Sequence, residues 1–313
     1  MARPVLEMIG ITKCFRSNWT FRTFCAVDDL SFSIEEGEVY GLIGHNGAGK
    51  TTTFKLLVGL LRPTQGALIW SGARLGWNQP RTGLGFSPEQ PYFYDYLTVR
   101  ETLAFYGQLY GLNHRDRRER VAALAERFHI AHKLDAPMRT LSKGTLQRVA
   151  VAQAIMHRPR LAILDEPMSG LDPSGRKEMR DLIRSLKHDG TTVLFSSHIL
   201  SDAESLCDRV GILATGRLRE VVEIGNTLDT PIGYTVIASA VAPQSLAVLS
   251  RVATEPPSGG PQRWSLHFKD QAAVRLALAE LHGTEACIEA LLPERRSLEQ
   301  RFLQYVPLGA DVD

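Results

Sequence analysis

Val39-Tyr40-Gly41-Leu42-Ile43-Gly44-His45-Asn46-Gly47-Ala48-Gly49-Lys50-Thr51-Thr52 is the run on which the fold turns. Five apolar or small residues read as a buried strand, Gly44 to Gly49 as a glycine-rich loop, and the apolar stretch Lys50 to Leu61 as a helix. Gly44 to Thr51 matches the G-x-x-x-x-G-K-T phosphate-binding pattern in its required setting, after a strand and before a helix. The chemistry needs this arrangement. Glycines let backbone N–H groups turn inward, and the helix N-terminus adds positive potential toward phosphate. Lys50 is expected to reach the terminal phosphates and Thr51 to ligate Mg²⁺. His45 reads as a tolerated variable position in the cradle, beside Asn46, Gly47, Ala48 and Gly49, with Thr52 closing it.

Working outward, Leu161-Ala162-Ile163-Leu164 is an apolar strand that ends in Asp165 and Glu166. An apolar strand needs no charges at its end for stability, so two carboxylates at a sheet's carboxyl edge suggest a site. Asp165 suits Mg²⁺, because a hard cation prefers oxygen ligands. Glu166 suits an attacking water, as base or orienting group. His198 follows Val193-Leu194-Phe195-Ser196-Ser197, again at a strand end, where an imidazole can donate to a phosphate oxygen. Gln90 follows Gly85-Phe86-Ser87-Pro88-Glu89; its amide could meet Mg²⁺ or the water. Ser142, in Leu141-Ser142-Lys143-Gly144-Thr145-Leu146-Gln147-Arg148, is suited to cap the helix that follows.

Further apolar runs extend the pattern. Val5 to Phe15, Ala26 to Ile34, Ala67 to Trp70, Gly83 to Phe86 and Thr192 to Ser196 read as strands. Thr98-Val99-Arg100-Glu101 is a capping box that opens a helical region from Thr98 to Ile130. Leu146 to His157 and Pro173 to His188 read as helices, Pro173 suiting a first helical turn. Buried strands alternating with helices specify an α/β fold around a mainly parallel sheet, with residues 98–157 as a helical insertion beside it.

Taken together, these motifs resemble the ATP-binding subunit of ABC transporters over about residues 4–225. The order is the family's: phosphate loop, Gln90 loop, Ser142 signature, Asp165-Glu166, the Ser169-Gly170-Leu171-Asp172 turn and the His198 switch. The resemblance implies a P-loop NTPase of ABC type with an antiparallel β subdomain, ATP and Mg²⁺ as ligands, and hydrolysis by Glu166, His198, Gln90 and Lys50. It also implies two subunits sandwiching ATP, so that Ser142 and Gly144 complete a partner's γ-phosphate site. Phe15 looks like the residue that stacks adenine, although residues 16–24 are longer than the family's loop and leave Trp19, Phe21 or Phe24 as alternatives. Ser142-Lys143-Gly144 is similar to a branch of bacterial exporters with a separate permease polypeptide. A homodimer is expected, held peripherally on the cytoplasmic face of the inner membrane through that permease. A non-transport ABC ATPase acting in translation or DNA repair is the alternative.

Composition sets limits on these readings. The 313 residues are 44% hydrophobic and 22% charged, enough for a large and a small domain. A net charge of +2 is too mild to argue for nucleic acid as a partner. Cys14, Cys25, Cys207 and Cys287 form no Cys-x-x-Cys pair and are expected as reduced thiols. The start of the chain lacks the apolar core of a signal peptide. Pro231 to Ser250 is uncharged and nearly long enough for a bilayer, but Pro243 and Gln244 break it into a strand and a helix, so a soluble subunit is expected.

Residues 226–313 carry no recognisable chemistry. They read as strand (Tyr234 to Ala240), helix (Gln244 to Val252), a Pro/Gly-rich break (Glu255 to Pro261), strand (Arg263 to Phe268), helix (Gln271 to His282), strand (Cys287 to Leu292) and a last helix (Ser297 to Tyr305). A small ferredoxin-like α+β domain is expected, βαββαβ if Ala253 to Glu255 pairs. It resembles the C-terminal extension of exporter ATPases. The motif-bearing domain is expected at 1–225.

Finally, Pro91-Tyr92-Phe93-Tyr94-Asp95-Tyr96-Leu97 is unusually aromatic. It suits core packing or, as the family's architecture implies, a groove for the permease.

Overall fold

A computed structural model of the chain describes residues 4–16, 22–77, 79–227, 231–260, 262–282, 284–294 and 297–305. The contacts divide it into two compact units, one of Met1–Glu223 with Tyr305–Asp313 and one of Ile224–Gln304.

The first unit begins with two long antiparallel strands, β1 (Pro4–Arg16) and β2 (Thr23–Glu35), followed by β3 (Val39–Ile43) and helix α1 (Lys50–Leu57). Next come β4 (Gln65–Trp70), β5 (Ala73–Arg74) and β6 (Leu84–Ser87), then the helices α2 (Val99–Leu109), α3 (His114–Arg127) and α4 (Lys143–Ala154). The chain continues through β7 (Leu161–Leu164), α5 (Pro173–His188), β8 (Thr192–Ser197), α6 (Leu200–Leu206), β9 (Arg209–Ala214) and β10 (Arg217–Glu223).

These strands make two sheets. One is antiparallel, in the order β2-β1-β4-β5; the other runs β10-β9-β3-β8-β7-β6. In the second, β9, β3, β8, β7 and β6 pair in parallel, and only β10 joins antiparallel. Every residue of β3, β7 and β8 is buried, which explains why those segments read as continuous apolar runs. Tyr40, Leu42, Ile163 and Leu194 of the parallel sheet share one core with Leu6, Met8, Leu30 and Phe32 of the antiparallel sheet and Phe54 and Leu57 of α1. Each such side chain contributes about 1.5–3 kcal/mol of burial.

Local chemistry sets the helix ends. The Thr98–Glu101 capping box opens α2 as its sequence specifies. Helix α1 stops at Leu57, four residues short of the expected Leu61. Gly59 there takes a left-handed φ of +86°, which a continuing helix cannot accommodate.

The cysteine reading is corrected at the first hairpin. Cys14 and Cys25 lie directly opposite each other in the β1–β2 register and are joined in a disulfide. Strand β2 starts at Thr23, three residues before the expected Ala26, and this extension creates the pairing. Cys207 is a buried free thiol and Cys287 an exposed one.

The second unit contains α7 (Ile224–Thr227), β11 (Gly233–Ser239), α8 (Pro243–Val252), β12 (Ser258–Gly260), β13 (Arg263–Phe268), α9 (Gln271–Leu281), β14 (Cys287–Glu294) and α10 (Leu298–Leu303). From β11 to β14 it is a βαββαβ unit with antiparallel strand order β12-β13-β11-β14, the ferredoxin-like arrangement. Val236, Ala238, Leu266 and Phe268 pack under Leu249, Val274, Ala277 and Leu281 of α8 and α9. The additional strand is Ser258–Gly260, inside the expected break, and not Ala253 to Glu255. Pro231 to Ser250 is occupied by β11 and most of α8. Among the described residues no helix is long and apolar enough to cross a membrane.

Candidate nucleotide site

The parallel strands β3, β7 and β8 end side by side, and the residues after each converge. The loop after β3 carries Gly44 to Gly49, the turn after β7 carries Asp165 and Glu166, and His198 follows β8. A pocket of about 560 Å³ opens here, lined by His45 to Thr52, Glu166, Ser169, His198 and Glu89, with Phe15, Phe24 and Ala26 from the first hairpin.

The loop has the shape of an anion cradle. Gly47 and Gly49 take φ of +81° and +110°, which L side chains rarely adopt. A Cβ on Gly49 would also meet the Ala26 carbonyl oxygen at 2.5 Å, and one on Gly44 the Leu213 carbonyl oxygen at 2.6 Å. Glycine is therefore required at both by close backbone approach. Gly49 is the N-cap of α1, so the free N–H groups of that helix point into the pocket. His45 Nδ1 meets the Asn46 carbonyl at 2.7 Å.

Lys50 is buried and donates to the Gly44 carbonyl at 2.5 Å, while its ammonium lies 3.2 Å from Glu166 Oε1. The other oxygen of Glu166 is 2.8 Å from His198 Nδ1. Glu166 is thus held between a cation and an imidazole. Its backbone has φ +47°, the left-handed region, for a residue with a full side chain. Its N–H is satisfied by Ser196 Oγ at 2.8 Å, and the same hydroxyl donates to Asp165 Oδ1 at 2.7 Å.

Asp165 is only 1% exposed. Burial pushes its carboxyl above the ordinary range, opposed by the hydroxyls of Ser196 and Thr51. Among the described residues no group of three His, Cys, Asp or Glu side chains could hold a metal. One hydroxyl and one carboxylate are nevertheless a fitting partial set for Mg²⁺, which completes its shell with water and phosphate oxygens.

The hairpin supplies an apolar wall. Phe15 and Phe24 are register partners whose rings stack at 5.6 Å with 26° between planes. The Lys13 ammonium sits 5.1 Å from the Phe15 ring centroid. Of the other aromatic candidates, Trp19 and Phe21 lie outside the described residues.

Gln90, Ser142 and Gly144 stand apart from this pocket, and Asp165, buried next to Glu166, does not line it. Gln90 is exposed on the loop after β6, and its neighbour Glu89 lines the pocket instead. Ser142 is exposed and caps α4, accepting from the Thr145 N–H at 3.3 Å. Gly144 is half-buried against Leu171: a Cβ there would lie 3.4 Å from Leu171 Cδ2. Lys143, between them, lays its side chain on Gly170, where an added Cβ would come within 2.8 Å of Lys143 Cε. Arg148 pairs with Glu178 of α5. The Leu141–Arg148 segment is therefore fastened to the Ser169–Asp172 turn and to α5.

Sequence reasoning missed Ser196 and Glu89. A hydroxyl at the buried end of an apolar strand was the available signal for Ser196, since such a group must find partners. Glu89 carried no signal beyond its adjacency to Gln90. The aromatic run splits in two. Phe93 is 7% exposed and meets Tyr106 edge-on at 6.1 Å, whereas Tyr92 is 85% exposed, with Tyr94 and Tyr96 also exposed beside Phe105.

Comparison with known proteins gives a consistent set. The family described as ABC transporter matches residues 27–169. An uncharacterized ABC transporter ATP-binding protein of Synechocystis sp. is 36% identical over 304 residues, 96% of this chain and 84% of the relative. A solved ATP-binding subunit of an ABC transporter is 33% identical with TM-score 0.62, covering 71% of this chain and 91% of that one. An ATP-binding cassette solved as a dimer with ADP and Pi in a post-hydrolysis state is 22% identical with TM-score 0.64, covering 70% and 98%; it shares the fold.

Proposed function

The chain belongs to the ATP-binding subunits of ABC transporters, and from that premise we propose that two copies bind and hydrolyse MgATP between them to drive a separate membrane permease in the export direction. The convergence of Lys50, Glu166 and His198 in one glycine-framed pocket, with Asp165 buried next to Glu166 and bonded to Ser196 and Thr51, carries this reading. The backbone N–H groups from Gly47 to Thr52 cradle phosphate oxygens, flanked by His45 and Asn46, and the Lys50 ammonium exchanges Glu166 for the terminal phosphates. Thr51 and Asp165 would hold Mg²⁺, with Gln90 as a further ligand, and the ion would supply charge neutralisation at the phosphates.

Glu166 orients and deprotonates the attacking water, and His198 fixes the carboxylate that does so. Phe15 receives the adenine ring, with Phe24 beside it. Ser142 and Gly144, exposed or half-buried at the N-terminus of α4, complete the γ-phosphate site of the partner copy. This assignment is supported by their absence from the lining of their own chain's pocket and by the exposure of Ser142. Export is supported by the Ser142-Lys143-Gly144 form of the signature, and docking by the exposed tyrosines at 92, 94 and 96. The second unit, Ile224–Gln304, serves as an accessory module for regulation or subunit contact, and the catalytic chemistry belongs to the first unit.

Glu166→Gln tests the central role. It keeps size and hydrogen bonding but removes the base, so phosphate release should fall by about 10²-fold or more while ATP affinity persists. Size-exclusion chromatography should then show an ATP-dependent dimer. An unchanged turnover rate would refute the assignment.

A further inference from the structure

The disulfide at the first hairpin is not explained by hydrolysis, and its position is specific. Cys14 pairs with Cys25, and the next register pair is Phe15 with Phe24, the two rings that wall the nucleotide pocket. The covalent link therefore sits one residue from each ring. Two strands near the end of a hairpin tend to fray, and fraying would separate Phe15 from Phe24. A cross-strand bond at the adjacent pair holds them together. Cys25 is exposed and Cys14 half-buried, so the bond is reachable from solvent.

We propose that the Cys14–Cys25 bond is a redox-controlled positioning element for the aromatic pair, so that reduction by a dithiol weakens binding of the nucleotide base and leaves the phosphate chemistry intact. This rests on the reading that Phe15 and Phe24 receive the base. A dithiol's thiolate attacks the exposed Cys25 sulfur, the S–S bond breaks, and the Cys14 thiolate leaves. The second thiol of the reagent then displaces Cys25, forming the reagent's own disulfide. Two electrons and two protons pass to the protein, which ends with two thiols.

The fold carries the rest of the site independently of this bond. Gly44 to Thr52, Asp165, Glu166 and His198 stand on the parallel sheet and α1; the Ala26 carbonyl of β2 packs on Gly49, but Asp28, two residues on, is tied by its N–H to the Gly216 carbonyl, so fraying at the Cys25 end should leave them in place. The effect should appear in the affinity for a base-bearing nucleotide and not in turnover at saturation. Base stacking on an aromatic face is worth roughly 5- to 100-fold in affinity when lost outright, so partial disordering of the pair should weaken ATP binding about 3- to 10-fold.

The test uses the full chain, oxidised or treated with dithiothreitol, its state checked by counting free thiols. Binding of ATP and of inorganic tripolyphosphate, which has no base, is measured by calorimetry, together with the ATPase KM and kcat. Reduction should raise the Kd and KM for ATP by that factor and leave tripolyphosphate binding and kcat unchanged. Cys14→Ser and Cys25→Ser should match the reduced wild type in either buffer. Equal ATP affinity in the two redox states overturns the proposal, as does an equal loss for tripolyphosphate, which would mean general loosening. Phe15→Ala separates the two ideas. If it leaves ATP affinity unchanged, the base-binding reading itself is wrong; if it weakens ATP while reduction is silent, only the redox inference falls.

Discussion

Ser196→Ala removes one hydroxyl from the buried end of β8 and with it two hydrogen bonds: the one accepted from the Glu166 N–H at 2.8 Å and the one donated to Asp165 at 2.7 Å. Leaving a buried N–H without a partner costs about 1–3 kcal/mol, and a bond to a carboxylate is worth about 1.5–3 kcal/mol. The two share one atom and are not additive, so the net loss should be about 2–4 kcal/mol. For a domain of this size each kcal/mol lowers Tm by roughly 2–4 °C, giving a drop of roughly 5–15 °C.

The pH dependence carries more information. Burial raises the Asp165 carboxyl above its ordinary value of 3.8, and Ser196 opposes that rise. Without Ser196 the carboxyl should move higher still. A raised carboxyl means the fold favours the protonated form. Its stabilising contribution is complete below the unfolded value and is lost as pH rises through the folded value. The gap between variant and wild type should therefore be widest at neutral pH and narrow as pH falls toward the ordinary carboxyl range. On the proposal that Asp165 is a Mg²⁺ ligand, the ion needs the ionised carboxylate, so Mg²⁺-dependent ATP binding should decline at a higher pH in the variant than in wild type. Thermal melts and calorimetry across pH check both. A Tm within 1 °C of wild type, or a gap constant with pH, would refute the reasoning.

Further outcomes are expected at two places. Gly170→Ala places a methyl against the Lys143 side chain at a φ of +68°, and should destabilise by about 1–2 kcal/mol from the backbone alone. Combining it with Lys143→Ala in a denaturant-unfolding cycle should show a coupling of about 0.5 kcal/mol or more, and strict additivity would show that the contact is absent. Tyr92→Asp should change stability by less than about 0.5 kcal/mol and keep basal ATPase activity while losing co-purification with the permease. Phe93→Asp, which buries a charge beside Tyr106, should instead cost about 3 kcal/mol or more on melting; the same phenotype from both would contradict the split of this run into a surface and a core.

The elements that sequence reading located best were those whose signal is local. β3, β7 and α5 begin and end where apolar runs, glycines and Asp172-Pro173 say they should. What escaped depends on pairing between distant residues. Ser258–Gly260 has poor intrinsic strand preference and becomes a strand only because β13 lies beside it. Cys14 and Cys25 looked independent because nothing in an 11-residue separation states the hairpin register. Lys143 offered no chemistry on its own, and its packing on Gly170 exists only once α4 meets the following turn. In the site, the phosphate loop and the two carboxylates were legible as motifs. Ser196, which joins the carboxylates, was hidden among strand residues, because a hydrogen bond between adjacent parallel strands leaves no mark in spacing.

With the role proposed for Glu166, its left-handed backbone sets stability against activity at a single position. Asparagine or glycine would occupy φ +47° more comfortably than glutamate, glycine by about 1 kcal/mol. Selection for thermal stability alone would therefore tend to discard the side chain that both Lys50 and His198 hold. A survey of stabilised variants drawn from random libraries of this chain should be enriched, at position 166, in molecules that bind nucleotide and no longer turn it over.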